Sequence, residues 1–215
     1  ITSTLSVCGS SSTFGGASAI TNLDGCIKPD TFIIQGTSTV ENIAGAGGAD
    51  TISVLGDASV TSINGGGDGS DTSAASDTGD TITINTSGTV GSVSGELGDD
   101  TVTLTAGTVG TVDGGVGNDT FTLNGATVTT TISGGDGDDT LTWSSGTTAK
   151  FEGGDGSDTV TITASEYDGT QVLDGGDDSS EADGMIDVLT FDGIALGTAT
   201  TALDMAKVKN WEKLL

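Results

Sequence analysis

The chain of 215 residues contains no histidine and no arginine, and its five cations are Lys28, Lys150, Lys207, Lys209 and Lys213. These absences exclude imidazole acid–base chemistry, a Ser-His-Asp triad and a His-ligated zinc site. Against 31 acidic residues the lysines leave a formal net charge of −26, which argues against nucleic acid as a partner, because phosphate contacts need clustered Lys or Arg. Proline occurs once and aromatics make up 4%. No apolar run approaches the length of a membrane-spanning helix, so no transmembrane helix and no membrane insertion are expected. The sequence shows neither an initiator Met nor a signal peptide, which leads us to expect a mature product or a piece of a longer protein. Cys8 and Cys26 are the only cysteines. In a secreted chain they would close one disulfide near the N-terminus, and two free buried thiols are the alternative.

Acidity with few aromatics usually reads as disorder. Here regular placement of Val, Ile, Leu and Thr overrides that default. An Asp followed by an alternating strand recurs at Asp30, Asp50, Asp80, Asp100, Asp119, Asp139, Asp158 and Asp187. Successive positions differ by 20, 30, 20, 19, 20, 19 and 29. The two long steps are ordinary steps plus a polar insertion, near 72–79 and 179–186. A period of 19–20 is too short for helix-pair repeats and suits one coil of a solenoid with two short strands and two turns. We therefore expect an all-β, right-handed parallel β-solenoid (β-roll or β-helix) of about eight coils. Residues 1–29 are expected as an N-terminal cap, 30–191 as the repeats and 192–215 as a C-terminal cap. Eight coils about 4.8 Å apart make a rod roughly 40 Å long. The C-terminal stretch has helical spacing at Leu203, Val208 and Trp211, and predicts either a short capping helix or one more distorted coil.

Within each unit the first strand points residues such as Ile82 and Ile84 inward and Thr81 and Thr83 outward. A second apolar pair follows: Val60/Ile63, Val90/Val93, Val109/Val112, Val128/Ile132 and Val172/Leu173. Its spacing varies, which predicts a less regular or kinked second strand.

Before the first strand sits a six-residue turn. "GGDGSD" covers 66–71, "GGVGND" 114–119, "GGDGDD" 134–139 and "GGDGSD" 153–158; "GAGGAD" at 45–50 and "GELGDD" at 95–100 each lack the second Gly. Glycine permits left-handed backbone and close approach, so carbonyls converge. Calcium takes six to eight hard oxygen ligands. Without a cation, stacked Asp100, Asp119, Asp139 and Asp158 would repel by about 3–4 kcal/mol per neighbouring pair at an effective dielectric of about 20. Folding coupled to metal binding follows as the expectation. The bland alternative is that Asp, Gly and Asn are good turn formers.

The turns resemble the RTX, or hemolysin-type, calcium-binding repeat GGxGxDxUx over about residues 45–160, with a degraded unit at 175–187. The resemblance implies Ca²⁺ as the bound ion, held by backbone or side-chain oxygens of Asp50, Gly66, Asp68, Asp71, Asp80, Gly95, Asp99, Asp100, Gly114, Val116, Asn118 and Asp119. It also marks Gly134, Asp136, Asp138, Asp139, Gly153, Asp155, Ser157, Asp158 and Asp177. Only one turn per coil carries the motif, which places calcium along a single edge. "VKNWEKLL" is similar to segments of bacterial autotransporter passenger regions. These resemblances imply a secreted or cell-surface bacterial module, structural or adhesive rather than enzymatic, with surface glycans or cells as partners.

Two other readings compete. The outward Thr pairs Thr81/Thr83, Thr101/Thr103, Thr120/Thr122, Thr140/Thr142 and Thr159/Thr161 form an array that looks like the ice-binding faces of solenoid antifreeze proteins, although Thr also suits any exposed sheet face. The chain could also be the non-catalytic carrier module of a secreted polysaccharide-active enzyme. Glu166 and Tyr167, in an irregular stretch, are then candidates for a sugar-contact patch, with a plain turn as the alternative.

Overall fold

The computed structural model describes residues 4–66, 78–163, 165–176, 186–192 and 206–215. It is a parallel β-solenoid of about eight coils, with no helix among the described residues.

One side of the rod stacks β2 (Ser11–Phe14), β4 (Thr31–Ile34) and β6 (Thr51–Gly56). The other side stacks β1 (Thr4–Ser6), β3 (Ala19–Cys26), β5 (Thr39–Ala46) and β7 (Ser59–Asn64). Both sides then join in four long bent strands, β8 (Thr81–Leu97), β9 (Thr101–Val116), β10 (Thr120–Asp136) and β11 (Thr140–Asp155), each running almost a full coil. They separate again into β12 (Thr159–Thr163) and β14 (Val188–Asp192) on the first side and β13 (Val172–Asp174) on the second, with β15 (Val208–Lys209) and β16 (Lys213–Leu214) closing the end. Every strand pairing among the described residues is parallel.

Alternation in the first strand puts one residue of each coil on an unbroken interior column, from Phe32, Ile52, Ile82 and Val102 to Phe121, Leu141, Val160 and Leu189. The facing column runs through Leu23, Ile43, Ile63, Val93, Val112, Ile132, Phe151 and Leu173. Each such side chain contributes about 1.5–3 kcal/mol, but only when a neighbouring coil covers it.

The second strand is irregular, as its spacing predicts. Val128 to Ile132 in β10 spans one residue more than Val109 to Val112 in β9, and the register shifts between those points. One inward pair differs from expectation. Leu173 is buried but Val172 is half-exposed and pairs with Lys150. Adjacent strand residues point to opposite faces, so both could not be core. Tyr167 is buried and sits edge-on to Phe191 at 5.5 Å, so it packs into the core instead of lining a sugar-contact surface.

The stacking reaches past the Asp signature at both ends. β1 and β2 pair with β3 and β4, and β15 and β16 pair with β13 and β14. Residues 206–215 thus take the distorted-coil form; Leu203 lies outside the described residues.

Candidate metal edge

The eight repeat aspartates stack in one buried column, each at most 2% exposed. Their shared position follows from the turn: the Asp ends the Gly-rich bend, and the next residue opens the first strand. In each rung the backbone N–H of one Asp donates to Oδ1 of the Asp one coil further on. The chain runs Asp30 to Asp50, Asp80, Asp100, Asp119, Asp139, Asp158 and Asp187, at 2.5–2.8 Å. It starts at the Ser10 N–H, which donates to Asp30 Oδ1 at 3.2 Å, and ends where the Asp187 N–H donates to Glu212 Oε2 at 2.7 Å. Bonds to an ionised carboxylate are about twice as strong as neutral ones. One oxygen of each carboxylate is therefore committed to holding coil to coil.

The second oxygen faces the glycine five residues earlier. A Cβ on Gly95, Gly114, Gly134 or Gly153 would collide with Oδ2 of Asp100, Asp119, Asp139 or Asp158 respectively. This explains why the first motif position is glycine. Oδ2 of Asp119 and of Asp139 is buried without a hydrogen-bond partner. Desolvation is the main cause that pushes Asp119 up to about 6 and Asp139 up to about 8. Neighbouring carboxylates add to it, and the bond from the preceding coil's N–H opposes it.

A second, exposed row lies one residue earlier. The Asn118 N–H donates to Asp99 Oδ1 at 2.8 Å, the Asp138 N–H to Asn118 Oδ1 at 2.9 Å and the Ser157 N–H to Asp138 Oδ1 at 2.8 Å. The Ile186 N–H closes on Ser157 Oγ at 3.0 Å. This row runs opposite to the buried one: later coils donate to earlier side chains. The third motif position, Val116, Asp136 and Asp155, is exposed, and its carbonyls accept from Gly98, Gly117 and Gly137 N–H at 2.7–2.8 Å. Asp155 also lines an open groove of about 330 Å³ with Glu152, Asp174 and Asn210.

Of the turn predicted at 66–71, only Gly66 lies within the described residues. Gly65 takes the first motif position, since its N–H donates to Ser94 O, and Gly66 takes the second, donating to Gly95 O at 3.1 Å. Asp80 supplies a buried carboxylate of the column, and its Oδ2 faces Gly65. Asp68, Asp71 and Asp177 lie outside the described residues, as does most of each insertion.

Sequence reasoning did not find Glu212. Its signal was there: Glu212-Lys-Leu-Leu repeats the pattern of Asp187-Val-Leu-Thr with one more methylene on the acid.

Among the described residues no three acidic or sulfur side chains converge on a point. A calcium ion at this edge would therefore take most of its oxygens from backbone carbonyls, with Asp carboxylates supplying charge. The buried, unpartnered Oδ2 atoms of Asp119 and Asp139 fit that requirement.

On the adjacent face, the Thr columns are in register: Thr81, Thr101, Thr120, Thr140 and Thr159 in one, and Thr83, Thr103, Thr122, Thr142 and Thr161 in the next. The sulfurs of Cys8 and Cys26 are bonded, with Cα atoms 5.2 Å apart.

No family model, curated protein or solved structure matches the chain.

Proposed function

We propose that the chain is a calcium-binding structural module, a rod whose central turns fill with Ca²⁺ along one edge and which serves a secreted or surface-displayed protein as a spacer or adhesive stalk. The observation that carries this reading is the buried Oδ2 of Asp119 and Asp139, desolvated and without a hydrogen-bond partner. A divalent ion supplies the missing positive charge; the residues that would hold it are Asp100, Asp119, Asp139 and Asp158, with carbonyls of the glycine-rich turns. Asp99, Asn118 and Asp138 fix the turns from outside by their side-chain row. The likeness to the RTX repeat and the Cys8–Cys26 disulfide, suited to an oxidising compartment, support an extracellular setting. Circular dichroism melts in calcium and in EDTA test it. We expect chelation to lower the melting temperature by about 10 °C or more, as loss of several kcal/mol would. An unchanged melt removes the calcium reading.

A second reading is favoured by the register of the Thr columns: a hydroxyl-and-methyl array repeating at the strand spacing, which supports ice as a ligand. Thermal hysteresis that disappears on Thr101→Lys with Thr120→Lys would sustain it, and none at millimolar protein would end it.

A further inference from the structure

The first glycine-rich turn has a counterpart one coil earlier that keeps the ends of the motif and replaces its middle. Residues 25–30 read Gly-Cys-Ile-Lys-Pro-Asp. Gly25 and Asp30 stand where Gly45 and Asp50 do, and Cys26 pairs in register with Ala46. The backbone differs. Gly48, Gly98, Gly117, Gly137 and Gly156 occupy the fourth position with φ between +110° and +141°, whereas Lys28 and Pro29 have no positive φ. This turn cannot present its carbonyls as the others do.

It is also closed by other means. Both oxygens of Asp30 are partnered: Oδ1 accepts from the Ser10 N–H at 3.2 Å and Oδ2 from the Cys26 N–H at 2.9 Å. Asp119 and Asp139 each keep one oxygen without such a bond. Cys8 and Cys26 each follow the register pair Ser6–Asp24 by two residues, so their disulfide joins equivalent positions of successive coils. It runs along the rod axis at the same edge. The stem of Lys28 lies across Gly9, where a Cβ would stand 3.3 Å from its Cδ, and so brings a covalently attached positive charge to this turn.

We propose that residues 25–30 with Cys8 form a clasp that needs no cation, holding the N-terminal coils folded while the turns from 95 to 158 depend on metal. This rests on the calcium reading above and adds a division of the rod into a metal-independent end and a metal-dependent middle.

Hydrogen–deuterium exchange of the full chain, read by mass spectrometry in calcium and in EDTA, tests it. In EDTA we expect residues 19–46 to keep their protection while 95–158 lose it at least tenfold. The Cys8→Ser/Cys26→Ser variant is expected to lose protection at 19–46 in EDTA and keep it in calcium. A second variant, Lys28→Gly/Pro29→Gly, leaves the disulfide intact and restores glycine to the turn; it is expected to make 19–46 exchange faster in EDTA, and it decides the matter if the cysteine variant does not fold. Loss of both regions together in the native chain overturns the clasp and leaves the calcium reading standing. So does full retention at 19–46 in the variants. Unchanged protection at 95–158 in EDTA overturns the calcium reading, and the proposal with it.

Discussion

The two turns of each coil are built by opposite rules. At the acidic edge, the first strands hold one register from Thr31 to Val188, although the steps between coils range from 19 to 30. At the distal edge the register slips, between Ile84 and Asn85, between Asn85 and Thr89, and again on both sides of Asn124. The difference is whether a side chain spans the coils. Each Asp ties its carboxyl to the neighbouring Asp N–H, so a shift of one residue breaks a buried hydrogen bond. The distal turn relies on local fixtures, such as Thr86 Oγ1 donating to Ala58 O at 2.6 Å, and this one does not recur in every coil. Small slips of register therefore collect at the distal turn. At the acidic edge even steps of 30 and 29 residues keep the register, because the chain returns to the same Asp position.

That contrast can be broken at one residue. Gly134→Ala puts a methyl against the Gly153 carbonyl and against Oδ2 of Asp139, whose carboxyl the ladder holds through Oδ1. We expect it to cost about 3 kcal/mol or more, the upper range for overpacking with loss of a buried bond. One extra glycine after Gly125, in the distal turn, should cost at most about 1 kcal/mol, because the register already slips there. Urea denaturation of both variants in calcium checks the pair; equal losses would remove the distinction between the edges.

Most of this plan was legible because the physics that sets it is periodic. Asp100, Asp119, Asp139 and Asp158 recur at steps of 19, 20 and 19, and period-2 alternation from each fixes the first-strand core column and both Thr columns. What stayed hidden was set by single contacts. Gly65-Gly66 and Gly66-Gly67 offer the same pair of residues for the first two motif positions, and the bond from Gly65 N–H to Ser94 O assigns Gly65 to the first. Val172 and Leu173 are equally apolar, and the register with Lys150 and Phe151 decides which faces in. The hydrogen-bonded ladder of the aspartates was hidden too, because a proposed ligand and a hydrogen-bond acceptor call for the same residue.

The buried column also sets how the rod responds to acid. Among the described residues the strongly raised carboxyls lie at the acidic edge, Asp119 at about 6 and Asp139 at about 8, each pushed up first by burial. In the unfolded chain both titrate near the ordinary 3.8. Between those values the folded state binds more protons than the unfolded one, so stability falls as pH rises. Without metal, the contribution is complete below about pH 4, fades through about 6 as Asp119 ionises and is gone above about 8 with Asp139. In EDTA the melting temperature should therefore be higher at about pH 5 than at about pH 8.5. Saturating calcium should flatten or reverse the trend, because the metal competes with the proton for the same oxygens. Asp139→Asn keeps an acceptor for the Asp119 N–H while removing one charge. It should raise stability in EDTA at about pH 8.5 by a few degrees, and reduce the gain from calcium. A melting temperature in EDTA that rises with pH would mean that these carboxyls are not held in a dry column, and that the two edges differ less than their hydrogen bonds imply.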